Sequence, residues 1–180
     1  VANVREEKNH LRQVAAMQRL FSEGLRFRWV NIGSLANAPL VEKLRLAVRD
    51  AGLEDYFTLT GPLDNPYGVM RRADTVCVLS DHESWSMVIT EAKALGVPVI
   101  ATRTSGALEQ IEDGKNGVLC GFSDEEIAES LRAFLTGGTA ETMRRDAKRP
   151  AADTSRDTLE TLLENDTKKA LYVFDDINYA

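Results

Sequence analysis

TVCVLSDHESWSMVITEAKALGVPVIA, residues 75–101, is the stretch that decides the fold. Thr75 to Leu79 is an unbroken apolar run of the kind found in strands covered on both faces. Ser86 to Leu95 reads as a helix, stopped by Gly96. Pro98 to Ala101 reads as a second buried strand. Two buried strands joined by a helix imply a right-handed crossover and a parallel pair.

The same alternation extends in both directions. Upstream, Val1 to Val4 reads as the end of a strand, and Asn9 to Phe21 carries apolar residues at a helical period. Arg26 to Gly33 is a strand closed by glycine, Leu40 to Ala51 a helix closed by Gly52, and Tyr56 to Thr60 a short strand ending at Gly61-Pro62. A short helix is expected after Pro66, to about Ala73. Downstream, a helix from about Ala107 to Glu112 leads through two turn signals, Asp113-Gly114 and Asn116-Gly117, into the strand Val118 to Cys120. Ser123 caps a helix over Asp124 to Leu135, with Glu126 completing a capping box. Past Gly137-Gly138 the pattern weakens. Thr139 to Lys148 and Asp157 to Asn165 look helical but polar, and residues 151–180 are expected to form a peripheral helix and tail.

The fold class expected is therefore α/β: a Rossmann-like parallel sheet with helices on both faces, over residues 1–150. In such sheets ligands bind beyond the carboxyl ends of the strands. The loops after Val4, Gly33, Leu79 and Ala101 are where chemistry is to be sought.

Composition narrows the partners. With 43% apolar and 28% charged residues, the 180-residue chain can bury one substantial core. A net charge of -6 argues against a general nucleic-acid binder. Cys77 and Cys120 both sit in apolar runs without metal-ligand spacing, which points to a reducing compartment. No apolar stretch approaches the roughly 20 residues that span a bilayer, and no signal peptide opens the chain. Lacking an initiator Met and opening in a strand-like run, the sequence reads as a fragment.

Asp81 to Ala92 concentrates the candidate chemistry. A helix beginning near Ser86 exposes backbone N–H groups and a positive dipole end, which suit a phosphate. Two carboxylates, Glu83 and Glu91, flank that point, and one so placed can accept the hydroxyls of a ribose. Spacing alone leaves a second reading equally open: Glu83 as a dipole partner and Glu91 as a solvated helix residue. His82 and His10 read as solvated or capping residues, and the pairs Arg71-Arg72, Arg144-Arg145 and Lys168-Lys169 as solvated faces. No cluster of His, Asp and Cys suggests a metal.

Glu83 to Glu91 resembles the E-x7-E motif of the family-four retaining glycosyltransferases of GT-B architecture. Glu91 to Ala101 resembles that family's EA-x-A-x-G-x-PV-I-A run, Ser105 to Ile111 its GG-x-x-E-x-I loop, and Asp113 to Gly117 its DG-x-NG turn. Glu7-Lys8-Asn9-His10 resembles its EKN-x segment. Each motif is short, but they occur in the family's order over residues 1 to 135.

The resemblance implies a donor-binding, C-terminal domain of an enzyme that moves a sugar from a UDP or GDP sugar to an acceptor hydroxyl. Carried over position by position, Lys8 would pair with the diphosphate, and the N–H groups of Ser86, Met87 and Val88 would cradle the phosphates. Glu91 would hold the ribose, and Glu83 would contact the sugar near the reacting carbon. Gly33 and Gly106 would let backbone approach the ligand, and the Gly61 to Asp64 loop would lie near the base. Where the family often has a second phosphate-binding Arg this chain has Asn3, and Arg5 is the nearby substitute. Ser84-Trp85-Ser86 stands where Gly-Phe-Gly or Gly-Phe-Pro is commoner, so the sugar is left undetermined.

No metal or organic cofactor is implied. An acceptor sugar or glycolipid would be held mainly by an N-terminal domain outside this chain, without which the fragment is expected to transfer nothing. The expected location is cytoplasmic, at the inner face of the membrane if the longer protein associates with it peripherally. Two alternatives stay open: a non-catalytic nucleotide- or anion-binding α/β module, and a nucleotide-sugar epimerase of the same architecture, which the E-x7-E run disfavours.

Overall fold

Neighbouring residues of a strand point to opposite faces of a sheet, and in this chain both faces are apolar. The computed structural model describes residues 3–138, Met143 and residues 170–174. A 3-10 turn, Glu6–Lys8, leads into α1 (His10–Ser22), followed by β1 (Arg28–Ile32), α2 (Ala38–Asp50) and β2 (Phe57–Leu59). Then come α3 (Tyr67–Arg72), β3 (Val76–Val78), α4 (Met87–Ala94), β4 (Val99–Thr102) and α5 (Ser105–Gln110). The chain continues through β5 (Gly117–Cys120) and α6 (Asp124–Thr136) to β6 (Ala170–Phe174). The sheet order is β2-β1-β6-β3-β4-β5, and every pairing is parallel. The expected α/β class is the one observed.

Side-chain alternation divides the core in two. Trp29, Cys77, Ile100 and Cys120 pack under α1, α2 and α6, against Val14, Met17, Leu44, Ile127 and Leu131. Their neighbours Val30, Val76, Val78, Val99, Ala101 and Leu119 pack on the other face under α3, α4 and α5. Truncating Leu44 of the first layer or Ile89 of the second to Ala would cost about 2–5 kcal/mol. Both cysteines are buried thiols, and burial pushes Cys120 up to about 12, which leaves it unreactive.

Caps place the helix ends more sharply than apolar periodicity does. Asn37 accepts from the Leu40 N–H and starts α2 at Ala38, two residues ahead of the apolar pattern. Thr104 accepts from Ala107 N–H and starts α5 at Ser105. The capping box of Ser123 and Glu126 is present as expected. Val1 and Ala2 lie outside the described residues. Asn3 and Val4 are not a strand, although the Val4 N–H donates to Ser34 O just past β1.

One expectation is corrected. Residues 170–174, taken as part of a peripheral tail, form the strand between β1 and β3. Asn31 and Cys77 both register against Val173, one from each side. Parallel strands need long connections, so sequence distance does not bar a late segment from the centre of a sheet. The polar helix expected over Asp157 to Asn165 lies outside the described residues, as does nearly all of that over Thr139 to Lys148.

The two halves of the sheet, β2-β1 and β3-β4-β5, meet through β6. Val173→Pro removes an N–H from this doubly flanked strand and is expected to cost at least about 1–3 kcal/mol. Urea unfolding followed by circular dichroism checks it, and an unchanged midpoint would contradict the central placement.

Candidate functional site

Because all the strands run the same way, their carboxyl ends share one edge, and the loops leaving that edge are tied together. Asn3 Oδ1 accepts from Ser34 N–H at 3.0 Å, which joins the first loop to the one after β1. Gly33 N–H donates to Gly61 O at 3.1 Å and brings the Gly61 to Asp64 loop alongside. Asp81 N–H donates to Glu7 O at 3.0 Å, and Gly106 N–H to Glu83 O at 2.8 Å. The four expected loops thus form one contiguous rim.

Lys8 and Glu83 lie at its centre. Lys8 Nζ is 2.9 Å from Glu83 Oε2, with the two side chains only 8% and 10% exposed. The resemblance implies both residues as ligand contacts, and the structure pairs them with each other across 75 positions of chain. A charge removed from water needs a counter-charge, and each supplies the other's. Alongside, Arg12 Nη1 donates to Asp81 Oδ1 at 2.8 Å. Burial opposes ionisation of Asp81, but hydrogen bonds from Asn9 and Arg12 prevail and hold its carboxyl below the usual range.

Beneath the Lys8 turn is a buried polar group of His10, Gln13 and Asn31. Gln13 Nε2 donates to Lys8 O at 3.0 Å, fixing the turn from below. His10 Nδ1 lies 3.2 Å from Gln13 Oε1 and 3.0 Å from Asn31 Nδ2, and its Nε2 lies 3.4 Å from Asn3 O. The tautomer decides which of these are hydrogen bonds. Asn9, between Lys8 and α1, takes φ +52°, an uncommon left-handed conformation that Asn tolerates better than most residues. Burial lowers the His10 pKa and keeps its ring neutral.

The start of α4 is the second component. Ser86 caps the helix, its Oγ accepting from Ile89 N–H. Its own N–H donates to Gln110 Oε1 at 2.9 Å, and Gln110 Nε2 donates back to Ser86 O and to Thr90 Oγ1. Of the three N–H groups expected to cradle phosphates, that of Ser86 is therefore committed to protein. Met87 and Val88, the first two helical positions, have no intrahelical acceptor for theirs. Glu91, one turn on, accepts from Tyr67 Oη at 3.2 Å.

Glycines and arginines on the rim divide in the same way. A Cβ on Gly106 would lie 2.7 Å from Ser84 C and O and 2.8 Å from Trp85 N. That space holds the protein's own loop, so the absence of a side chain at Gly106 is required for loop packing. Gly33 is buried at the end of β1. Arg5 is exposed, 3.9 Å from Glu7, on a hollow of about 350 Å³ that Glu6, Asn9, His10, Lys43 and Asp81 also line. Asn3, at the position of the family's second clamp, is occupied in tying loops. A larger hollow, about 430 Å³ between α2 and β2, is lined by none of the site residues. No group of three His, Cys, Asp or Glu residues suited to a metal occurs among the described residues.

Sequence reading missed Tyr67, Gln110 and Arg12. None stands in a spaced motif: Tyr67 follows the Pro66 turn, and Gln110 is an unspecified position of the Ser105 to Ile111 loop. Their partners are 24, 24 and 69 residues away, which local pattern does not encode.

The family described as Glycosyl transferases group 1 matches residues 1–153. A D-inositol 3-phosphate glycosyltransferase of Corynebacterium jeikeium is 37% identical over 94 residues, 51% of this chain and 22% of that protein. A putative colanic acid biosynthesis glycosyltransferase of Salmonella typhimurium is 30% identical over 143 residues, 75% of this chain and 34% of that protein. The chain thus spans between a fifth and about a third of the length of these relatives. Among solved structures, the C-terminal domain of a group 1 glycosyl transferase from Francisella tularensis superposes with a TM-score of 0.68 at 23% identity. That match covers 79% of this chain and 77% of the other. An Anabaena protein crystallised with UDP-glucose superposes with a TM-score of 0.71 at 22% identity, over 81% of this chain and 41% of that one.

Two outcomes are expected from the site's internal bonds. Lys8→Met and Glu83→Gln should each lower stability, and the double variant should lose less than their sum, by about 0.5–3 kcal/mol. A double-mutant cycle in urea measures this, and strict additivity would exclude the pair as a stabilising contact. The second concerns His10. Its folded pKa lies below the ordinary value, so between the two the unfolded chain binds more protons. The His10 contribution to stability is fully present above about pH 6.5 and should be lost as pH falls below it. His10→Gln should flatten that part of the pH–stability curve, while the loss tied to Asp81 persists at lower pH, below the ordinary carboxylate range.

Proposed function

The chain belongs to the group 1 glycosyl transferases, and from that premise we propose that it is a donor-binding domain, holding a nucleoside diphosphate sugar for transfer to an acceptor hydroxyl. The observation that carries this reading is the convergence at one sheet edge of a buried lysine, a helix start with N–H groups free of intrahelical acceptors, and two carboxylates.

Each group has a chemical task. The diphosphate lies across the start of α4, where the Met87 and Val88 N–H groups and the helix dipole favour negative charge. Lys8 turns from Glu83 to the diphosphate when the donor arrives, so one counter-charge replaces another. Glu91, oriented by the Tyr67 hydroxyl, accepts the ribose hydroxyls. Glu83, released from Lys8, faces the sugar. As the bond from the anomeric carbon to the diphosphate oxygen breaks, negative charge grows on the leaving group, and Lys8 with the α4 N-terminus stabilises it. The acceptor oxygen bonds to the same face of the sugar and its proton passes to the leaving phosphate, so configuration is retained. Arg5 is the further cation within reach of the rim.

The relatives support the class of reaction, being by their descriptions a D-inositol 3-phosphate glycosyltransferase and a glycosyltransferase of colanic acid biosynthesis. In this reading the acceptor is held mainly by an N-terminal domain outside this chain. No helix among the described residues is long and apolar enough to cross a membrane. Polysaccharide or glycolipid synthesis at the cytoplasmic side of a membrane fits the reading.

Calorimetric titration with UDP, GDP and ADP tests it. One diphosphate should bind selectively, and Glu91→Ala should weaken it at least tenfold while the chain stays folded. Equal, Glu91-independent binding of all three would favour a generic anion-binding module. The chain alone should show no acceptor-dependent sugar transfer.

A further inference from the structure

Gln13 and His10 are 0% and 2% exposed, and neither has a task in donor binding. Both lie in α1, whose other buried residues, Val14, Ala16, Met17 and Leu20, are apolar. Two polar side chains at the start of a buried apolar face must find hydrogen bonds to offset their desolvation. They find them at the turn that carries Lys8.

The first hydrogen bonds of α1, from Arg12 and Gln13 N–H, end on Asn9 O, where the backbone turns at φ +52°. The Gln13 side chain reaches one residue further back, its Nε2 donating to Lys8 O at 3.0 Å. On the other side Lys8 N–H donates to Arg5 O at 3.2 Å. The backbone of Lys8 is thus held at both its polar atoms. A lysine side chain is long and flexible, so a fixed starting point limits where its ammonium can go.

Polarity runs outward from that bond. A carbonyl only accepts, so Gln13 presents Nε2 to Lys8 O and turns Oε1 to His10, whose Nδ1 lies 3.2 Å away. Oε1 also only accepts, so the matching ring carries its proton on Nδ1. Asn31 faces the same nitrogen with Nδ2 at 3.0 Å, while its Oδ1 is buried without a hydrogen-bond partner among the described residues. Turning the Asn31 carboxamide over replaces that donor–donor contact with Nδ1–H donating to Oδ1. The contact given up is the longest of the group, His10 Nε2 to Asn3 O at 3.4 Å. We propose that Gln13 is a positioning residue for Lys8, held in its donating orientation by the Nδ1–H tautomer of His10, so that Lys8 exchanges Glu83 for a phosphate about a fixed backbone. Only the naming of the phosphate rests on the donor-domain reading above.

Three readouts on the 180-residue chain test this. Histidine nitrogen NMR at about pH 8, where the ring is neutral, should show His10 as Nδ1–H. The chain's other histidine is His82, and His82→Gln separates the two signals. An Nε2–H ring overturns the proposal, whatever any variant at Gln13 does to folding. Gln13→Met keeps the side chain's length and removes its donor. In that background the coupling between Lys8→Met and Glu83→Gln, measured in urea, should fall by at least half. An unchanged coupling means that Gln13 supports the fold without placing Lys8, and the proposal fails. By calorimetry, Gln13→Met should weaken the preferred one of UDP and GDP about three- to tenfold, the worth of one hydrogen bond, with the chain still folded. Undiminished affinity also overturns it. A wild-type chain that binds neither diphosphate overturns the donor-domain reading instead, and the NMR and the coupling still decide the role of Gln13.

Discussion

A parallel pair cannot be closed by a tight turn, and the site follows from that constraint. To run β4 alongside β3 in the same direction, the chain must return through α4, which begins where β3 ends. The helix start, with its N–H groups, is thereby delivered to the sheet edge where β1, β3 and β4 all end. The loops at that edge then have the same few ångströms to share, and they bond to each other: Asn3 to Ser34, Glu7 to Asp81, Glu83 to Gly106.

Polar groups placed in so crowded a rim need partners, and the partners found explain its rigidity. Lys8 and Glu83 neutralise each other at 2.9 Å, and Arg12 holds Asp81 at 2.8 Å. Below them, His10, Gln13 and Asn31 form a buried polar layer that holds the Lys8 carbonyl and reaches the Asn3 carbonyl. A core of leucine and valine there would pack as well but would give that carbonyl no donor. The charged centre is therefore held together by contacts within the chain itself, from the Lys8–Glu83 pair down to the His10 layer.

Much of this was legible in the residues. The apolar runs at 75–79 and 98–101 are short and unbroken because both sides are covered, and α4 between them was bounded by Ser86 and Gly96. The motif order from Glu7-Lys8 to Asp113-Gly117 located the edge and its loops. What the motifs did not carry was which atoms are already spent. Ser86 N–H is taken by Gln110, and the gap at Gly106 is filled by Ser84 and Trp85. Both facts concern backbone packed against side chain, which a pattern of residue types does not specify.

The sequence by itself determined the alternation of strands and helices, the caps at Ser86 and Ser123, and the residue types that gather at the strand ends. These are local properties, set by side-chain period, backbone freedom and hydrogen bonds within a turn. Only the tertiary structure decided that residues 170–174 lie between β1 and β3, that Lys8 faces Glu83, and that Tyr67 bonds Glu91. Each of those joins segments 24 or more residues apart, and a short apolar strand reads alike whether it ends at an edge or the centre of a sheet. The choice is made by which open strand edges and unsatisfied polar groups remain once the local elements have formed.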